Sequence, residues 1–187
     1  MKQIDISCCK SKCKFREKSI FLTFNYTRTL EDIYEIRDNE ICHIHGKVGD
    51  ADLIIGHCWN YGKEKISSEK FPSMHSIIAS EFKEKIMAKL EKKCDDIVVD
   101  NTDFFGRIRS IARVVVLGHS LSEVDMPYFR EISRQVGNEV IWDISYHTDN
   151  DKKRIDDFTR ELNIKDGYWN RSKFDDLLRE QDSSIKP

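Results

Sequence analysis

The chain has 187 residues and a mass of 22.0 kDa, room for one domain of ordinary size. Lys+Arg number 31 and Asp+Glu 33, a net charge of −2, which argues against a dedicated duplex-binding protein and makes nucleic acid an unlikely partner. With 3 Pro and 8 Gly the collagen-like and Pro/Gly-rich disordered classes are excluded. Apolar runs are short, Val114-Val115-Val116-Leu117 among them, against the roughly 20 residues of a membrane span. The amino-terminal stretch has basic residues without an apolar core behind them, so no signal peptide is expected. The expected location is therefore the cytoplasm, with six reduced cysteines.

Residues 1–18 carry six Lys/Arg against two acids and read as a flexible basic arm. Residues 19–187 are expected to form a single domain. Ile20-Phe21-Leu22-Thr23-Phe24 is rich in β-formers and predicts a buried strand. Asn25-Tyr26-Thr27 turns the chain. Leu30, Ile33 and Tyr34 then fall at helical spacing over 28–36, with Thr27 or Thr29 as cap. Ile41-Cys42-His43-Ile44-His45-Gly46 alternates and ends in Gly, the mark of a second strand handing over to a loop, and Leu53-Ile54-Ile55-Gly56-His57 repeats the pattern.

Residues 67–93 are Lys/Glu-rich with apolar positions three or four apart, which predicts a long amphipathic helix. Helix continues less clearly through 97–99 and 103–111, so residues 67–111 read as a helical insertion. Ala112 to Leu117 is the strongest strand signal, a β-branched triplet closed by Gly118, and predicts a central strand buried on both faces. Ser122 and Asp125 resemble a capping box opening a helix that runs to Val136. Val140–Tyr146 predicts a further strand and 150–163 an amphipathic helix. Tyr168-Trp169 reads as a turn, and 171–180 as a last helix.

Strands alternating with helices imply an α/β fold, a three-layer Rossmann-like arrangement around a mostly parallel sheet. Ligands bind such sheets beyond the carboxyl ends of the strands. The residues to watch are therefore those after the strands: Asn25, Tyr26 and Thr27; His45 and Gly46; Gly56 and His57; Gly118, His119 and Ser120; and those just after Ser145. An Asn at a strand end both donates and accepts, and a neighbouring His is a base near neutral pH. Together they suit activation of a ribose hydroxyl or a water.

Two other chemistries are legible. Gly118-His119-Ser120-Leu121-Ser122 after a strand resembles a hydrolase nucleophile elbow, with Asp143 and His147 following in hydrolase order. Ser122, however, stands where that elbow has Gly. Cys9 and Cys13 provide half of a zinc-type ligand set without a second pair, so no metal is expected.

The blocks FNYTRTLEDIY, HIHG, LIIGH and VVVLGHSLSEVDMPYFREI, in that order, resemble the AbiH family of bacteriophage abortive-infection proteins. The resemblance implies an antiphage role. More distantly, Asn followed by His-Gly is similar to sirtuin-like NAD-consuming domains. That likeness implies NAD as substrate, Asn25 orienting ribose and water, and His45 as base. Gly118, His119, Ser120 and Asp125 would rim the pocket with Tyr26, Thr27 and Gly46. Those domains usually carry an acid two residues after the Asn, where this chain has Thr27. They also open on a strand and Gly-rich loop, whereas the first Gly here is Gly46. The implied alternative is an inactive remnant or a subunit that needs a protein partner or a second copy to complete its sheet.

Overall fold

The computed structural model describes residues 15–50, 53–54 and 94–183, with side chains to 179. The expected arm up to residue 14, the end of the LIIGH block and the helix over 67–93 lie outside the described residues. Among those described, five strands form two sheets, and every pairing is parallel. This is a mixed α/β fold of general Rossmann-like topology.

The first sheet pairs β1 (Phe21–Thr23) with β2 (Ile41–His43), Phe21 against Ile41 and Thr23 against His43. Between them α1 (Thr29–Asp32) is one turn rather than the nine-residue helix the spacing predicts. Glu35 takes a positive φ of 58° and ends the run. Neither threonine caps it: the N-cap is Arg28 without a side-chain bond, and the Thr27 and Thr29 hydroxyls bond each other at 2.9 Å. Leu53 and Ile54 are not strand, although Ile54 N–H still donates to the His45 carbonyl at 3.0 Å.

Helices α2 (Cys94–Asp100) and α3 (Thr102–Arg107) lead through a turn at 108–110 into the second sheet. Its order is β3 (Arg113–Val116), β4 (Ile141–Tyr146), β5 (Trp169–Lys173). Two expectations fail here. The β-branched strand β3 pairs on one side only among the described residues, and just Val116 of it is buried. The middle strand is β4, which buries Trp142, Asp143, Ile144 and Ser145 in succession. Trp169 is not in a turn; it opens β5, whose polar sequence WNRSK suits a strand with β4 on one side and helix α6 (Phe174–Ser183) following directly.

Helix α4 (Met126–Val136) buries Met126, Tyr128, Phe129, Ile132 and Val136, an i, i+3, i+4 stripe, and ends at Gly137 with φ 78°. Helix α5 (Asp149–Glu161) covers β4 by setting Phe158 against Trp142, ring centroids 5.9 Å apart. It carries the true capping box of the chain: Thr148 and Asp151 bond reciprocally across its first turn. The core joins these helices to both sheets through Ile44, Phe105, Tyr128, Trp142, Ile144 and Ile155, each 1% exposed or less.

Of the cysteines, Cys42 is a free thiol pushed up to about 11 by burial. Cys94 is disulfide-bonded, so the expectation of reduced thiols throughout fails there. Among the described residues no helix is long and apolar enough to cross a membrane.

Candidate functional site

The carboxyl ends of β1, β2 and β3 converge. Phe24, the residue after β1, is the hub: its ring lies 5.7 Å from His45, 4.5 Å from His119 and 5.7 Å from Tyr128, and it stacks on Phe129 at 5.7 Å. One aromatic side chain thus ties the end of the first sheet to the loop leaving the second. A β-strand turns alternate residues to one face, so Phe24 faces inward with Leu22 while its neighbour Asn25 is exposed at the strand end.

His45 is 4% exposed. Its Nε2 lies 3.2 Å from the Tyr128 hydroxyl, and the two rings meet edge to face at 5.4 Å. Burial, with the charges of Asp125 and Tyr26 nearby, pushes the Tyr128 phenol well up, so it keeps its proton. Tyr26 closes the other side, 6.3 Å from His45 by ring centroids, with its hydroxyl donating to the Ile54 carbonyl at 2.9 Å. Gly46 follows with φ 80°, the left-handed turn that takes the chain away from the histidine.

The β3 loop is organised around His119. Its Nδ1 accepts the Leu121 backbone N–H at 2.9 Å, which puts the ring proton on Nε2, 3.3 Å from Asp125 Oδ2. Ser122 Oγ donates to the same carboxylate oxygen at 3.2 Å. Burial raises the Asp125 carboxyl, but bonds and charge from His119, the Ser122 hydroxyl and the charge of His45 together hold it below the ordinary range. The expected capping box at Ser122 and Asp125 is therefore absent: Ser122 flanks a short turn at 123–125, and Asp125 serves His119 instead of a helix end. Gly118 has φ 62° and its N–H donates to Ser145 Oγ at 2.8 Å, anchoring the loop to β4.

The structure therefore brings together His45, Tyr26, His119 and Asp125 around Phe24. Asn25 sits at the rim beside them, and Thr27 and Ser120 are exposed. A hydrolase triad is not assembled. Asp143, 3% exposed, is bound by Arg113 and by Asn170 Nδ2 at 3.0 Å, while His147 stacks on Phe174 at 5.1 Å. Among the described residues no group of three His, Cys, Asp or Glu could hold a metal ion.

Sequence reasoning missed a second cluster. His43, the other histidine of HIHG, directs Nδ1 to the Asn25 carbonyl and Nε2 to Glu31 Oε1, both at 3.1 Å. Both nitrogens are engaged by these oxygens, so the ring braces the Asn25 turn. Lys47 Nζ joins the same carboxylate at 3.4 Å and Asp38 at 3.2 Å. The Glu31 side chain is 6% exposed, and its Oε2 has no hydrogen-bond partner among the described residues. Burial raises its carboxyl, yet its own backbone N–H, His43 and Lys47 bring it below the ordinary range. The signal is HIHG itself: His43 closes β2 with its side chain 8% exposed, and His45, 4% exposed, follows two residues on. Tyr128 left no such trace, being one apolar-face residue of a helix.

No match is found among curated proteins or among solved structures. A model of the family described as "Bacteriophage abortive infection AbiH" matches residues 1–146, most of the 187-residue chain, and takes in Asn25, Tyr26, His45, His119 and Asp125. The chain belongs to the AbiH family of bacteriophage abortive-infection proteins.

Proposed function

We propose that the chain serves its abortive-infection role by binding NAD or a related nucleotide at the carboxyl ends of β1, β2 and β3 and cleaving its glycosidic bond. The observation that carries this reading is the pairing of an exposed amide at Asn25 with two histidines that meet the same Phe24 ring. Asn25 has donor and acceptor to offer a ribose hydroxyl and a water at once. Hydrolysis breaks the bond between ribose C1 and the nicotinamide nitrogen, places the water oxygen on C1 and releases one proton. His45 takes that proton. The Asp125 carboxylate, held ionised, interacts electrostatically with both His119 and His45 and favours the imidazolium that results. The Tyr128 hydroxyl, 3.2 Å from Nε2, holds His45 in position. Tyr26, Thr27, Gly46, Gly118 and Ser120 supply the rim.

The test begins with binding. A ligand that binds the folded state raises its melting temperature by mass action, so NAD and ADP-ribose are expected to shift the midpoint. Conversion of NAD to nicotinamide and ADP-ribose is then followed for the parent, Asn25→Ala and His45→Ala. Removing a general base costs about 100-fold or more, and each variant is expected to fall by that much. Activity in either within a factor of about ten of the parent overturns the assignment. No shift with either ligand favours the non-enzymatic alternative, a remnant or partner-dependent subunit.

A further inference from the structure

Thr23 and His43 are register partners at the ends of β1 and β2. Residues level with one another in a parallel ladder turn their side chains to one side of the sheet. This pair takes hold of Asn25 from both ends. Thr23 Oγ1 accepts the Asn25 backbone N–H at 3.1 Å, and His43 Nδ1 meets the Asn25 carbonyl, also at 3.1 Å. A carbonyl only accepts, so that bond needs a hydrogen on Nδ1. The next carbonyl, that of Tyr26, accepts the Val48 N–H at 2.7 Å. With the peptide groups on both sides of its Cα bonded, the Asn25 side chain leaves the backbone in a set direction, and its own torsions are the freedom that remains. The ring that does this is itself aimed. Glu31 Oε1 lies 3.1 Å from Nε2, and the His43 and Glu31 side chains are both more than nine-tenths buried. Glu31 Oε2 has no hydrogen-bond partner among the described residues. A carboxylate buried with one oxygen left over is a costly way to fasten a single turn of helix, and apolar contact would fasten it at less cost. What the carboxylate adds is direction: the bond at one ring nitrogen sets what the other can do.

We propose, resting on the nucleotide reading of the site, that His43 aimed by Glu31 is a positioning residue: it fixes Asn25 so that the side-chain amide meets ribose and water in the orientation cleavage needs. His43 touches no substrate and acts only through Asn25. A displacement of about 1 Å in a site can cost about 100-fold in rate, so the hold on Asn25 is read in rate as well as in motion. The two ring nitrogens are separable by substitution. His43→Asn sets an amide N–H near the place of Nδ1 and gives up Glu31. His43→Gln sets one near the place of Nε2 and gives up the Asn25 carbonyl. A role confined to fastening α1 survives in Gln and is lost in Asn. Positioning of Asn25 survives in Asn and is lost in Gln.

The test takes two readouts on the full chain. The first is the backbone NMR order parameter of the Tyr26 amide, which shares a peptide group with the Asn25 carbonyl. It is expected at about 0.85 in the parent and in His43→Asn, and at about 0.6 in His43→Gln. The second is steady-state cleavage of NAD. In His43→Gln kcat is expected to fall at least about 20-fold with KM within about threefold of the parent, while His43→Asn stays within about fivefold in kcat. Adding His43→Gln to Asn25→Ala is expected to cost nothing more, because the ring acts through Asn25. An unchanged order parameter in His43→Gln overturns the proposal. So does an unchanged kcat there, a reversed ranking of the two variants by either readout, or a further loss beyond about threefold in the double variant. A parent that cleaves no NAD overturns the nucleotide reading and with it the catalytic part of the proposal, and the order parameters then decide by themselves whether His43 holds the Asn25 turn.

Discussion

His119 and Asp125 show how much a single bonded pair decides in the β3 loop. The loop takes two left-handed residues, Gly118 at φ 62° and Leu121 at φ 53°. The second is costly for a side chain with a Cβ, of order 1–3 kcal/mol. What holds it there is the Leu121 N–H bond to His119 Nδ1, which holds only while the other nitrogen faces Asp125. Asp125→Asn keeps the shape, removes the charge and weakens this chain of bonds. The expected cost at pH 7 is about 1–2 kcal/mol. The sign with pH follows from the depressed carboxyl. Its contribution is complete above the ordinary carboxylate range and is lost as the pH falls below about 4. The gap in melting temperature between parent and variant is therefore expected at pH 7 and should close toward pH 3. A gap that stays constant across that range, in melts recorded at intervals, would mean the charge contributes nothing.

At the scale of elements, α1 is the telling case. Four residues are too few to hold a helix unaided, and none of them is buried as a whole. Its attachment is the Glu31 carboxylate, shared by His43 and Lys47. Glu31→Ala is expected to strip His43 and Lys47 of that acceptor at a cost of about 2 kcal/mol. It should also speed exchange at the Asp32 and Ile33 amides, which bond to the Arg28 and Thr29 carbonyls. Unchanged exchange at those two amides would show that α1 is held by other means. This element also marks the limit of what the sequence discloses. Leu30, Ile33 and Tyr34 have helical spacing, but propensity yields to a left-handed residue at Glu35 that no pattern announces. The strands β1, β2 and β4 were legible because β-branched runs ended in turn residues at the right places. Strand β5 was not, because WNRSK has no apolar alternation and becomes strand only by pairing with β4. Within the site, Asn25, His45 and His119 were found from their places after strands. The partners that orient them were not: Tyr128 comes from a helix 83 residues beyond His45, a contact only the tertiary fold makes.

For the molecule as a whole, the question is whether the two sheets unfold as one. Their direct link at the carboxyl ends is Phe24, whose ring meets His119, Tyr128 and Phe129 from the second half of the chain. Truncating such a side chain costs about 3–5 kcal/mol, enough to weaken coupling between halves in a protein of ordinary stability, about 5–15 kcal/mol. Trp142 and Trp169 both lie in the second sheet, on β4 and β5. Their fluorescence follows that half, while far-ultraviolet circular dichroism follows both. A cooperative domain gives coincident transitions by the two probes, and the parent chain is expected to do so. In Phe24→Ala the dichroism transition is expected to begin at lower denaturant than the fluorescence transition, as β1 and β2 come away first. Replacing Trp59, which lies outside the described residues, with Phe in both proteins confines the fluorescence to the second sheet. Coincident transitions in the variant would show that the helices, and not this ring, carry the coupling, and the candidate site would then owe its geometry to α4 alone.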